Sequence, residues 1–222
     1  MANDLIESFS GIRGIYGQGI TTELVERYVF CYCQLFKNKL KSVVVAGDTR
    51  PSTVILKKAA IKAFGDCGIK KIIDVGEVPV QVAQYAILQF KASGGIYITA
   101  SHNEPEFNGW KILKNDGALI YASQSEQLIK MVHQHKAVDI KKVKKIARPL
   151  VIKKEKEAIN NYVKYVLKCL GEKAFEEIKK TRLQILIDPN GGTSAQALKI
   201  IFTLLKVKAK FINERIMRLE VV

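Results

Sequence analysis

Between Gly94 and Lys111 the sequence reads GGIYITASHNEPEFNGWK, and its middle places a hydroxyl, an imidazole and an amide on consecutive residues, Ser101, His102 and Asn103. An apolar run, Ile96 to Ile98, leads into them, so polar chemistry starts where a strand stops. The loop beyond the carboxyl end of a strand is where open α/β sheets bind ligands. A serine flanked by imidazole, amide and ammonium groups suits a phosphoryl carrier, because phosphoserine holds roughly −1.5 to −2 charges that such neighbours offset. Asn108-Gly109 is a turn-forming pair that would bring Lys111 back toward the loop. Arg13, flanked by Gly11 and Gly14, would add a guanidinium able to grip phosphate through two hydrogen bonds. Taken singly, each has a plainer reading: Ser101 as a turn former, Arg13 as a solvent-facing turn residue, Asp48 and Arg50 as a loop ion pair. Other chemistries lack their patterns. The G-x-S-x-G elbow of a serine hydrolase is absent, and residues adjacent in an extended segment, such as Ser101 and His102, point to opposite sides. Neither a P-loop nor a dinucleotide fingerprint occurs.

These residues need a scaffold, and the hydrophobic pattern supplies one. Residues 5 to 17 read as a glycine-turned hairpin or loop centred on Arg13. Thr21 or Thr22 would cap a helix running to about Lys39, with Leu24, Val25, Tyr28, Val29, Tyr32 and Leu35 at helical spacing. Ser42 to Ala46 is a buried strand by composition, and GDTRPST (Gly47 to Thr53) a loop in which Ser52 or Thr53 caps the helix that follows to Phe64. The strand, loop, helix rhythm repeats at Lys71 to Val75, Gly76 to Val80 and Gln81 to Phe90, then returns to a strand at Gly95 to Thr99. Trp110 to Leu113 and Ala118 to Tyr121 flank KNDG, a hairpin signal, and Ser123 to Gln134 reads as a helix. The expected fold class is α/β, a mainly parallel or mixed sheet between helices. The lysine-rich stretch from Ala137 to Lys156, which contains Pro149, suggests a boundary: residues 1–148 as one domain, 149–222 as the start of a second, similar one. Beyond it, helices at Ala158 to Leu170 and Ala195 to Leu205 alternate with strands at Leu183 to Ile187 and Ala209 to Ile212. A single βαβ unit buries a sheet poorly, so the second domain is expected to be incomplete.

The chain has 222 residues, with 36 Lys and Arg against 21 Asp and Glu, a net charge of +15. That sign favours anionic partners, but the lysines are spread over helices and linkers without an RNA-binding or helix-turn-helix signature, so the pattern argues against nucleic acid as the partner. Lys141 to Lys145 and Lys153 to Lys156 read as solvated faces. Cys31, Cys33, Cys67 and Cys169 form no C-x-x-C pair and read as reduced thiols. His133 and His135 read as surface residues, not zinc ligands. No apolar run approaches the ~20 residues needed to cross a membrane, and the first residues lack a secretory signal. A cytoplasmic protein without membrane contact is expected.

Taken together the segments resemble the α-D-phosphohexomutase family, which includes phosphomannomutase, phosphoglucomutase and phosphoglucosamine mutase. The resemblance rests on TASHN followed by PEFNGWK (Thr99 to Lys111), GIRG (Gly11 to Gly14), GDTRPS (Gly47 to Ser52) and DPNGG (Asp188 to Gly192), in the family's order. It implies that Ser101 carries phosphate in the resting enzyme and binds Mg2+ through it. The phosphate passes to a hexose phosphate, the hexose bisphosphate intermediate turns round, and its other phosphate returns to the serine. By the same matching, Arg13 and Lys111 stabilise charge or assist proton transfer, His102 contacts the phosphoryl group, and Asn103 belongs to the phosphate-binding set. Such chemistry is mainly positioning and electrostatics.

The sequence departs from the pattern at several points. Glu104 and then Pro105 follow SHN, where the family has proline directly. Ser8 and Phe9 stand where it has Gly-Thr, and Pro79-Val80-Gln81 where it has P-T-P. The family's Asp-Gly-Asp metal loop, sugar-reading loop and C-terminal phosphate-binding loop have no counterpart before Val222. The expectation is therefore the N-terminal part of a phosphohexomutase, a truncated product or one subunit of a split enzyme. Its partners would be a hexose phosphate and a complementary C-terminal chain. The alternative is a non-catalytic phosphosugar- or partner-binding module that keeps the first-domain fold. A nucleic-acid binder, suggested by charge alone, ranks last.

Overall fold

Short β-branched runs and amphipathic helices alternate along the chain, and the computed structural model assembles them into a layered α/β unit with a smaller appendage. It describes residues 5–36, 39–134 and 149–214. His135, the Lys141 to Lys145 cluster, the division at residue 148 and the final segment therefore lie outside the described residues.

The main sheet has seven strands: β1 (Ile6–Ser8), β2 (Gly11–Ile15), β3 (Ser42–Gly47), β4 (Lys71–Glu77), β5 (Gly94–Ile98), β6 (Phe107–Lys114) and β7 (Leu150–Lys153). Their spatial order is β1-β2-β6-β5-β3-β4-β7. The β5, β3, β4 and β7 neighbours are parallel, whereas β5–β6, β6–β2 and β2–β1 are antiparallel. The parallel half is joined through helices α2 (Thr53–Asp66) and α3 (Val80–Gln89), as crossover connections require. Helix α1 (Thr22–Phe36) and helix α4 (Ala122–Gln134) join α2 on one face.

Period-two alternation sorts the strand residues between two cores. Val43 and Val45 of β3, with Ile96 and Ile98 of β5, pack with Tyr28, Tyr32, Leu56 and Phe64 beneath α1 and α2. Val44, Ala46 and Tyr97 face the other way, against Val82, Ala83 and Ile87 of α3 and against Ile159 and Val163 of α5 (Glu155–Leu170). After α5 come α6 (Glu172–Lys180), β8 (Gln184–Ile187), α7 (Ala195–Leu204) and β9 (Lys208–Phe211); β8 and β9 form a separate two-stranded parallel sheet.

Three local expectations are corrected. Arg13 sits within strand β2, paired with Gly109 of β6, and not at the centre of a turn. Asn108-Gly109 is likewise strand rather than turn; sheet pairing, not a reversal there, carries Lys111 past the loop. Glycine is needed at 109 because a Cβ would meet the Ile12 carbonyl oxygen at 1.9 Å. Ser52 precedes α2 without a side-chain capping bond, because its hydroxyl accepts a hydrogen bond from Asn108 Nδ2 at 2.7 Å. The cap expected at α1 is present, with Thr21 Oγ1 accepting from the Leu24 N–H at 3.1 Å.

Candidate functional site

Strand pairing brings the basic side chains together before any loop is considered. Arg13 lies opposite Gly109 and Tyr97 opposite Lys111. Residues two apart on a strand share a face, so Arg13, Lys111 and Tyr97 fall on the same side of the sheet. Burial holds the Lys111 ammonium below its ordinary pKa of 10.5, and the Arg13 charge adds to the effect. Its Nζ donates to the Ser10 carbonyl oxygen. The Tyr97 hydroxyl, raised in pKa first by burial and then by the Asp48 charge, donates to the Val78 carbonyl at 2.7 Å.

Beyond β5 the chain enters the Ser101 loop. The Ser101 N–H donates to Thr99 Oγ1 at 2.9 Å, and the Asn103 N–H to the Ala100 carbonyl at 3.3 Å. Ser101 itself takes φ of +61°, a left-handed conformation that costs an L-residue roughly 1–2 kcal/mol. Strain of this kind persists only where the surroundings over-determine it, and here they do. Arg50 donates from Nη2 to the carbonyls of Ser101 (3.1 Å) and Asn103 (2.5 Å), and from Nη1 to those of Phe107 (3.0 Å) and Glu104. Its Nε bonds Asp48 Oδ2 at 3.2 Å. Asp48 Oδ1 in turn accepts from the Thr53 hydroxyl at 2.9 Å, and Thr53 and Ser52 accept from the buried Asn108 amide.

The loop opens into a cavity of about 1240 Å³ whose walls include Ser101, His102, Asn103, Glu104, Arg50 and Lys111 on one side and Asn190, Gly191, Gly192 and Thr193 on the other. Of the residues expected from sequence, Ser101, His102, Asn103 and Lys111 meet there. Arg13 does not line the cavity; it reaches the loop through Nη1, which donates to Asn103 Oδ1 at 3.3 Å. Ser101 and His102 are exposed, whereas Asn103 and Lys111 are half-buried. The DPNGG segment faces the serine loop across the cavity, tied by the Thr49 hydroxyl to the Gly191 carbonyl at 3.1 Å. Its turn is set by Asp188 Oδ1, which accepts from the Asn190 N–H at 2.8 Å.

Reading by sequence missed the role of Arg50 and Asp48. A signal was available, since GDTRPS follows β3 directly, but an arginine there pairs equally well with a nearby aspartate alone. Only the fold turns its guanidinium onto a loop 51 to 57 residues away.

Among the described residues no group of three or more His, Cys, Asp or Glu is placed to hold a metal ion. The Asp48 carboxylate is already engaged by Arg50 and Thr53. A hard cation such as Mg2+ requires oxygen ligands in octahedral array, and of these the described residues complete no set.

Comparison with known proteins gives a consistent picture. Residues 6–139 match the model of the phosphoglucomutase/phosphomannomutase alpha/beta/alpha domain I. A phosphoglucomutase/phosphomannomutase of Thermococcus kodakarensis is 32% identical over 209 residues, covering 91% of this chain and 43% of that protein. A phosphoglucosamine mutase of Prochlorococcus marinus is 31% identical over 206 residues with the same coverage. The solved structure of a phosphoglucomutase/phosphomannomutase family protein from Burkholderia thailandensis superposes with a TM-score of 0.71 at 22% identity, covering 98% of this chain and 45% of that one. A Thermus thermophilus protein assigned as a phosphomannomutase gives a TM-score of 0.81 at 22% identity, with 98% and 47% covered. The chain thus spans less than half the length of the proteins it matches.

Proposed function

Since the chain belongs to the phosphoglucomutase/phosphomannomutase family, with the family's domain I over residues 6–139, we propose that Ser101 is its phosphoryl carrier in the interconversion of hexose 1-phosphate and hexose 6-phosphate. In this reading residues 1–148 form the bulk of the phosphoserine domain, β7 and α5 complete its sheet and second core, and the chain beyond them opens a second domain. The chain acts as the N-terminal part, or as one subunit, of a mutase whose remaining groups come from a complementary C-terminal segment.

The observation that carries the reading is the position of Ser101 in the wall of a large cavity, in a strained conformation, with Lys111 lining the same cavity. A sugar hydroxyl attacks phosphorus on phosphorylated Ser101. The new P–O bond forms as the Ser101 Oγ–P bond breaks, and the proton lost by the hydroxyl balances the one taken up by Oγ. Lys111, whose lowered pKa makes it the better acid, is assigned the donation of that proton to Oγ and is recharged by the proton the sugar hydroxyl loses; Arg13 fixes Asn103 and adds positive potential. His102 contacts the phosphoryl oxygens. The bisphosphate then turns in the cavity and returns its other phosphate to Oγ. The cavity lined by Ser101, His102 and Lys111 is where that turn would take place. Mg2+ bound through phosphoserine would neutralise developing charge. The described residues do not complete its coordination, and no step here depends on it.

Incubation with glucose 1,6-bisphosphate and Mg2+, with and without a polypeptide supplying the remaining family length, followed by peptide mass spectrometry, tests the assignment. Phosphate on the peptide containing Ser101, absent in Ser101→Ala, is expected. Absence of phosphate from that peptide under both conditions would overturn it.

A further inference from the structure

Arginines beside a phosphate site are ordinarily read as anion ligands. The geometry points elsewhere for Arg50: we propose that it is a positioning residue whose guanidinium, oriented by Asp48, holds the backbone of the Ser101 loop in its phosphate-accepting shape and has no donor left for a ligand.

A guanidinium has five N–H donors in a fixed fork and no acceptor. In Arg50 all are committed: Nε to Asp48, and the two terminal nitrogens to the carbonyls of Ser101, Asn103, Glu104 and Phe107. The side chain is only 11% exposed and its partner Asp48 18%. One buried cation thus draws together four carbonyls spread across the whole turn from Ser101 to the first residue of β6. Asp48 is itself held from three directions, by the Arg50 backbone N–H at 3.1 Å, by Arg50 Nε and by Thr53 Oγ1, so the fork cannot swing. Gathering the carbonyls on one side fixes the peptide planes that give Ser101 its positive φ, and with it the direction of Oγ. Lysine cannot substitute, since a compact ammonium with three donors and no planar fork reaches fewer carbonyls.

The inference rests on the phosphoserine reading for its catalytic consequence but not for its structural one, and the two are tested separately. Arg50→Lys and Asp48→Asn are compared with wild type by amide hydrogen exchange and, with a polypeptide supplying the remaining family length present, by the rate of phosphate uptake at Ser101 from glucose 1,6-bisphosphate. Exchange at loop amides such as Asn103 and Phe107 should rise at least about tenfold while β5 and β6 stay protected. Phosphate uptake should fall roughly 100-fold, the scale of a ~1 Å misplacement, with the KM for the bisphosphate nearly unchanged. Chemical rescue of Arg50→Ala by millimolar guanidinium ion should restore loop protection in part. Unchanged loop exchange in Arg50→Lys overturns the proposal, as does exchange that rises equally through β5 and β6. A rise in KM with no change in the loop also overturns it, by making Arg50 an anion ligand. If wild-type Ser101 takes up no phosphate, the mutase reading fails, and the exchange comparison still decides the role of Arg50.

Discussion

Replacing Ser101 by glycine and by alanine separates backbone strain from side-chain chemistry. Ser101 Oγ makes no hydrogen bond to the described residues, so alanine removes the hydroxyl at almost no cost to the fold and keeps the strain of φ +61°. Glycine also removes the hydroxyl but releases a left-handed penalty of roughly 1–2 kcal/mol. Against this stands the greater chain entropy that glycine gives the unfolded state, about 0.5–1 kcal/mol. The difference leaves Ser101→Gly more stable than Ser101→Ala by about 0.75 kcal/mol at the midpoints of the two ranges, which together span about 0–1.5 kcal/mol. Urea unfolding monitored by circular dichroism reads this as a higher midpoint at unchanged slope. Both variants lose phosphate uptake, so the serine is kept at a strained position for chemistry and not for stability. A glycine variant no more stable than the alanine variant would refute the argument, because it would mean that the loop does not hold residue 101 in the left-handed region.

Gly109→Ala places a Cβ 1.9 Å from the Ile12 carbonyl oxygen and 2.8 Å from Arg13 Cα; β2 has to move off β6, at a cost of about 1–3 kcal/mol, and exchange protection at Ile12 and Arg13 should fall before that of β3. Asp74→Asn breaks the pair to Lys57, 2.9 Å long with both side chains 13% exposed; removing one partner of a buried pair costs about 3–5 kcal/mol, toward the lower end here because both groups keep some solvent, and thermal unfolding should show the drop. Lys111 has a folded-state pKa below its unfolded value, so the unfolded chain holds more protons as pH approaches 10.5 and stability contributed by this site rises through that window. The penalty is present at neutral pH; Lys111→Met should flatten the rise, measured by urea midpoints from pH 8 upward, and an unchanged slope would contradict the cause given.

The parallel half of the sheet was legible because fully buried strands are short β-branched runs, as in Ser42 to Gly47 and Lys71 to Glu77, bounded by loops with Gly, Asp and Pro. The antiparallel half was less so. Asn-Gly at 108–109 has the composition of a turn, yet here glycine answers a close approach by β2 and Asn108 turns its amide inward to Ser52 and Thr53, both consequences of partners far away in sequence. Helix α6 was not foreseen: EKAFEEIKK buries no residue fully, and its composition is that of a charged linker. Of the site, Ser101, His102, Asn103 and Lys111 could be found because they lie within one stretch. Arg50 could not, since nothing local distinguishes a loop ion pair from a clamp on a distant turn.

The measurement that bears most directly on the central claim is the stoichiometry of a single half-turnover: the chain, together with a polypeptide supplying the remaining family length, mixed with glucose 1,6-bisphosphate and Mg2+, with phosphoserine at position 101 and hexose monophosphate quantified together. One hexose monophosphate released per phosphate gained on Ser101, and neither in Ser101→Ala, is the predicted result. Monophosphate release without label on Ser101, or label on another residue, would contradict it.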